Sequence, residues 1–222
     1  IEKESSVNEA IDRMRHSATR ALIERDDVII VASVSCLYGI GSVETYSAMI
    51  FDIKKDTQVD QRELIRKLVA LQYKRNDAAF ARGNFRVRCD NLEIFPSHYE
   101  DMAWRVSFFG DEIEEIASFD PLTGKVFRRH DKIAIFPKSH FVAPREQTVR
   151  AVDAIKAELE ERRGDLERAG RLVEAQRLHQ RTMFDLEMMR EIGYCHGIEN
   201  YSRHLDGRAS GEPPATLLDY LP

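Results

Sequence analysis

The chain reads as an α/β protein in which a parallel α/β domain is interrupted by an antiparallel α+β insert. Three observations carry that reading. Residues 28–33 form a continuous apolar, β-branched run between two amphipathic stretches. Between residues 84 and 135, short alternating stretches follow one another at turn-length spacings. From Arg145 onward the apolar residues return to helical spacing. Runs of the first kind form strands buried on both faces of a parallel sheet, closely spaced short strands form antiparallel sheets, and three-to-four spacing marks helices.

Taken in order, Ser5 and Ser6 precede Val7, Ile11, Met14, Ala18 and Leu22, so the spacing predicts a helix over residues 7–24 that ends at Asp26 and Asp27. Residues 28–33 then supply the buried parallel strand. Gly39 and Gly41 open a loop, and Ser42 with Glu44 starts a helix toward Met49. Asp60 followed by Glu63 resembles a capping box, heading a helix that carries Leu64, Ile65, Leu68, Val69 and Leu71. Strands are expected at 84–89, 91–95, 103–109, 112–118 and 126–135, with turn signals at Asp90-Asn91 and at residues 120–124. Alternation turns Phe85, Val87 and Cys89 inward and leaves Arg86 and Arg88 outside. In the same way Trp104, Val106 and Phe108 share one face, and Arg105, Ser107 and Phe109 the other. Beyond Arg145, Val149, Val152, Ile155 and Leu159 mark one helix, and Leu172, Ala175, Leu178 and Leu186 a second. The break between them is expected from Gly164 to Gly170, so the two helices can pair as a hairpin with a solvated, charged outer face. Residues 207–214 are loop-like.

Composition narrows the function. A chain of 222 residues with 43% hydrophobic content can bury a core. Its 33 basic and 38 acidic residues give a net charge of -5, so any contact with nucleic acid must be local rather than driven by an overall field. Cys36, Cys89 and Cys195 are odd in number and far apart, which argues against a disulfide framework and for a reducing, cytoplasmic setting. No apolar run reaches the length of a membrane span. The chain starts without methionine and stops at Pro222, and both ends read as cuts inside a larger protein.

No catalytic or metal-binding constellation emerges. A phosphate-binding loop needs Gly-x-x-x-x-Gly-Lys before Ser or Thr, and none is present. Thr123-Gly124-Lys125 sits in a turn, and Gly39-Ile40-Gly41 lacks the third glycine of a dinucleotide fingerprint. Cys195-His196 has no second pair at zinc spacing. Ser139-His140 has no orienting third group, and Glu114 and Glu115 alternate faces on a strand. The arginines remain: Arg86, Arg88 and Arg105 on the strands, with Arg75 just after the preceding helix. They form an ordinary solvated strand face, a docking surface for an acidic protein partner, or a contact for DNA phosphate. Asp77, Glu93 and Asp111 lower the potential around them.

Several segments are specific enough to carry a resemblance. Residues 28–41, Phe85-Arg86-Val87-Arg88, residues 105–113, Phe136-Pro137, residues 139–142, Gln180-Arg181-Thr182, residues 185–191 and residues 197–205 resemble the UvrB family of bacterial excision-repair proteins along the whole chain. The resemblance implies a helicase-like, RecA-like ATPase acting in nucleotide excision repair and the SOS response. Such a protein receives damaged DNA from UvrA, verifies the lesion with a β-hairpin and recruits the UvrC nuclease. It further implies three regions: residues 1–48 as part of the first helicase-like domain with the base of the hairpin, 49–138 as a UvrA-interaction domain, and 139–222 as the helical remainder of the first domain. Both halves of the ATP site fall outside the resemblance, so ATP and Mg2+ are expected only in the intact parent and the chain alone is expected to be no enzyme. Arg75, Arg86, Arg88 and Arg105 match the family's UvrA-contact arginines, whereas Ser107 stands where the family commonly has glutamate. Lys3, Arg15, Ser35 and Phe141 match positions close to the DNA path.

Overall fold

The computed structural model describes residues 9–221, and the first element in them is helix α1 (Glu9–Glu24). His16, Thr19 and Leu22 are its buried residues, one helical turn apart on a single face. Ile11 and Met14, predicted to share that face, are instead exposed along an open apolar groove. The groove's other wall is the stretch predicted as a buried parallel strand. Residues 28–33 are not a strand: Ile29 and Val31 are 94% and 96% exposed. A strand needs neighbours for its backbone N–H and C=O groups, and among the described residues none pairs with this run. The expected parallel α/β sheet is therefore absent from the described residues, whose only parallel pairing is a two-residue one.

A 3₁₀ turn over Val34–Cys36 leads into helix α2 (Val43–Met49), capped as predicted by Ser42, whose Oγ accepts the Thr45 N–H at 3.2 Å. Gly41 before it is held tightly. Its N–H donates to the His140 carbonyl at 3.0 Å, and a Cβ there would meet the same oxygen at 2.9 Å. Only glycine fits this approach.

Strand β1 (Phe51–Lys54) pairs antiparallel with β8 (Lys132–Ile135), Phe51 opposite Ile135. Between them lies helix α3 (Gln61–Ala70) and a second sheet of six strands in sequence order: β2 (Lys74–Arg75), β3 (Asn84–Arg88), β4 (Asn91–Phe95), β5 (Ala103–Phe109), β6 (Glu112–Phe119) and β7 (Val126–Arg129). The stretch 126–135, predicted as one strand, is thus two. His130 donates its N–H to Ile116 of the large sheet while the Asp131 carbonyl accepts from Lys55 beside the small one, so the chain changes sheets between them. Cys89, predicted to point inward, is exposed in the β3–β4 turn with φ +52°, because the strand ends one residue earlier than its alternation suggests.

Leu64 and Leu68 of α3, with Leu71, cover one face of the large sheet, meeting Phe85, Leu92, Ile94, Trp104, Val106 and Ile116. The cap of α3 is Asp60, but the reciprocal half of the predicted capping box is replaced. Asp60 Oδ1 accepts the Arg62 N–H at 2.8 Å, while Glu63 reaches forward to Lys67 at 2.8 Å. Asp60→Ala should cost about 1 kcal/mol, read in urea as a lower midpoint at unchanged slope.

Helices α4 (Arg145–Arg168) and α5 (Leu172–Ile192) form the predicted antiparallel hairpin around Val152, Ile155, Leu186 and Met189. Gly164 lies inside α4 rather than in the break, which is confined to residues 169–171, where Gly170 takes φ +73°. Short helix α6 (Ser202–Asp206) packs on α4, and a 3₁₀ turn at Leu217–Tyr220 returns to α1.

A buried polar seam joins α1 to the large sheet and the loop after β8. The His16 and His140 rings stack with centroids 4.0 Å apart, and His140 Nε2 shares a 3.2 Å hydrogen bond with Thr19 Oγ1. His98 packs against Tyr99 and Phe136, and Arg82 donates to the Ser97 and Glu9 carbonyls. Ser139 and His140 form no nucleophile and base pair: the Ser139 Oγ accepts from the Phe141 N–H.

Candidate functional site

The face of the large sheet turned away from α3 carries three of the predicted arginines, Arg86, Arg88 and Arg105. Register sets their order. Arg86 on β3 stands opposite Glu93 on β4, which stands opposite Arg105 on β5, then Ala117 on β6 and Arg129 on β7. One pleat along, the row is Arg88, Asn91, Ser107 and Glu115.

Within the first row the charges pair across strands. Glu93 accepts from Arg86 Nε at 2.5 Å and from Arg105 Nε at 2.8 Å, with its own side chain only 3% exposed. Each guanidinium also lies over an aromatic ring, Arg86 over Phe80 at 4.2 Å and Arg105 over Phe119 at 4.4 Å. Phe80 in turn stacks on Phe119 and leans on Phe95. The result is a salt-bridged layer over an aromatic one, with the acid almost fully desolvated.

The remaining cations differ. Arg88 is exposed and has no ion pair among the described residues. Arg75 lies at the sheet edge, where its Nε donates to Asp77 at 2.9 Å, and the register aligns it with core-facing Phe85 rather than with Arg86. Asp77 also accepts the Val87 N–H, which is the main reason its carboxyl is held below the usual range; Arg75 and Arg86 add to the effect. Ser107 donates to Asn91 Oδ1 at 2.7 Å. Opposite it, Glu115 accepts from Arg129 at 2.5 Å, so this row does carry an acid, one strand over.

Comparison with known proteins assigns the region. Residues 51–141 match the family described as UvrB interaction domain, and residues 146–207 match the UvrB third helical domain. Proteins named UvrABC system protein B align with all 222 residues: 54% identical in Bordetella pertussis and 57% in Pseudomonas aeruginosa, covering 33% of each, and 57% in Caldicellulosiruptor saccharolyticus, covering 34%. The chain belongs to the UvrB family. It spans about a third of the length of the curated relatives it matches.

The other UvrB-derived positions are scattered. Lys3 lies outside the described residues. Arg15 is a brace, its guanidinium donating to the Tyr38 carbonyl at 2.8 Å and the Gly39 carbonyl at 3.1 Å. Ser35 is exposed and shares a 2.7 Å hydrogen bond with Ser33, and Arg15, Ser33 and Cys36 line the groove beside α1. Phe141 is buried in the helical core, 8% exposed, packed against the α4–α5 hairpin. Cys195 is likewise a core residue, its thiol pushed up to about 12 by burial. In the Gly39-Ile40-Gly41 loop the Gly39 carbonyl accepts from Arg15 and the Gly41 N–H donates to the His140 carbonyl. Among the described residues no cluster of His, Cys, Asp and Glu is placed to hold a metal ion, and no helix is long and apolar enough to cross a membrane.

Sequence reading missed two features of this face. Glu93 was visible as a charge that lowers the local potential, but its clamp between two arginines follows from the strand pairing. The Glu115–Arg129 pair joins residues that are 14 apart in sequence.

Proposed function

We propose that this stretch of the UvrB family docks on UvrA through the arginine-bearing face of its six-stranded sheet. The observation that carries the reading is Arg88, an exposed guanidinium without an ion pair among the described residues, on the domain matched as the UvrB interaction domain. An unpaired guanidinium fixed on a strand favours a partner carboxylate, for which its planar fork suits two parallel bonds. The flanking segments belong to a helicase-like, DNA-handling part of the whole protein. The open groove at residues 28–33 supports this, since an unpaired β-branched run calls for further strands beside it. Damaged DNA and UvrC are partners of that whole, in the cytoplasm, and the chain alone hydrolyses no ATP.

Calorimetric titration of the 222-residue chain against UvrA and against duplex DNA tests this. Binding to UvrA is expected, weakened about tenfold or more by Arg88→Glu, equivalent to about 1.4 kcal/mol. A titration in which DNA alone binds, with affinity collapsing as salt rises, would overturn the docking reading in favour of phosphate contact.

A further inference from the structure

We infer, resting on the docking reading above, that Glu93 is a positioning residue for UvrA: it grips Arg86 and Arg105 by Nε and so leaves the terminal edges of both guanidinium groups for carboxylates on the partner. The grip is divided between the two arginines. Glu93 Oε2 accepts from Arg86 Nε and Oε1 from Arg105 Nε, one oxygen to each. The exposed Arg25–Asp27 pair closes differently, with Nε and Nη2 of the one arginine donating to both oxygens of the acid. Neither Arg86 nor Arg105 makes a further hydrogen bond among the described residues. Their terminal nitrogens are not sealed from water either, since the one buried side-chain nitrogen or oxygen without a partner among those residues is Trp104 Nε1. Each arginine therefore keeps N–H donors open to a second carboxylate while it holds the first.

The acid and the aromatic layer together fix where those donors stand. Arg86 lies over Phe80, Arg105 lies over Phe119, and the two rings stack, so each guanidinium is held by a ring as well as by Glu93. A side chain already held in place loses little rotamer freedom on docking. Two guanidinium groups around one carboxylate also leave one positive charge in excess. Asp77 is engaged by Arg75 and the Val87 N–H, and Glu115 by Arg129. The exposed Asp111 and Glu112 stand in the β5–β6 turn, Glu112 opposite Phe109, four residues along β5 from Arg105 and so about 13 Å away. The excess charge is complemented by carboxylate across the interface. Stability alone gives Glu93 no reason to be an acid, because apolar side chains of similar volume often hold a fold together as well as a desolvated ion pair does.

Association and dissociation rates with UvrA are measured for the 222-residue chain and its variants, each shown to be folded by circular dichroism under the assay conditions. Glu93→Gln makes the face more positive, so charge attraction alone would tighten binding to an acidic partner, whereas loss of positioning loosens it. Glu93→Gln should dissociate about tenfold faster or more, with association no slower than the parent's. Arg105→Lys keeps a cation for Glu93 but has no fork to share, and should also dissociate about tenfold faster; it decides the matter if Glu93→Gln does not fold. Leu68→Ala, which loosens the core beneath α3 without touching this face, should dissociate as the parent does. If the parent chain fails to bind UvrA, the docking reading itself falls. If the parent binds and the Glu93→Gln complex is as long-lived or longer, or if Leu68→Ala shortens it equally, docking stands and Glu93 has no positioning role.

Discussion

Replacing Glu93 by alanine should lower the stability of the chain by about 3–5 kcal/mol, the range for removing one partner of a buried ion pair. The size follows from what stays behind. Arg86, with a side chain only 12% exposed, and Arg105 would keep their charges against Phe80 and Phe119 with no acid to answer them. The loss is larger than for any exposed pair on the molecule, such as Arg25–Asp27, because exposed pairs retain water as a substitute. Glu93→Gln keeps the volume and one hydrogen-bond acceptor but not the charge, so it should lie between the parent and Glu93→Ala. Urea denaturation reads all three. A Glu93→Ala midpoint equal to that of the parent would mean the arginines swing out to solvent, and the face would then be far less rigid than its register implies.

Acidification should destabilise the chain steeply between about pH 6.5 and pH 3, through the histidines of the seam. Burial holds His16 and His98 down at about 3, and His140 well below its ordinary value. Neighbouring positive charge adds to the effect at His16 and His140, from Arg15, Arg82 and Lys138 at the first and Arg15 at the second, while Asp12 opposes it at His140. The sign follows directly. In the unfolded chain each histidine takes up a proton as pH falls through about 6.5; in the folded chain His16 and His98 stay neutral until near 3, and His140 stays neutral well below its ordinary value. The unfolded state therefore binds more protons across that window, and stability falls as pH falls, by about 1.4 kcal/mol per pH unit for each histidine. Above pH 7 both states are neutral at these positions and they contribute no slope. Urea midpoints at pH 7.5, 6.0 and 5.0 check this, and His16→Asn should remove about one proton's worth of the slope. Equal midpoints at pH 7.5 and 5.0 would show that the seam opens to water without unfolding the chain.

Legibility in the sequence followed the range of the interactions. Helix α2 and its Ser42 cap, the strands β3 to β6 and the α4–α5 hairpin rest on contacts between near neighbours, and alternation or helical spacing displayed them. Alternation also placed Arg86, Arg88 and Arg105 on one face. Two readings failed because a distant partner decided the outcome. Residues 28–33 have the composition of a central strand, yet composition cannot supply the neighbours that make one. The split of residues 126–135 depends on two sheets competing for one run of chain, which local pattern does not encode.

The unpaired run at residues 28–33 also bears on how this chain behaves in company. Ile29 and Val31 present branched apolar side chains to water, and the backbone between them offers a row of open donors and acceptors. Such a segment templates the addition of a second extended chain, so self-association through this edge should grow with concentration in any preparation of the 222-residue chain. A strand laid beside it would protect the molecule from its own copies as well as completing a sheet.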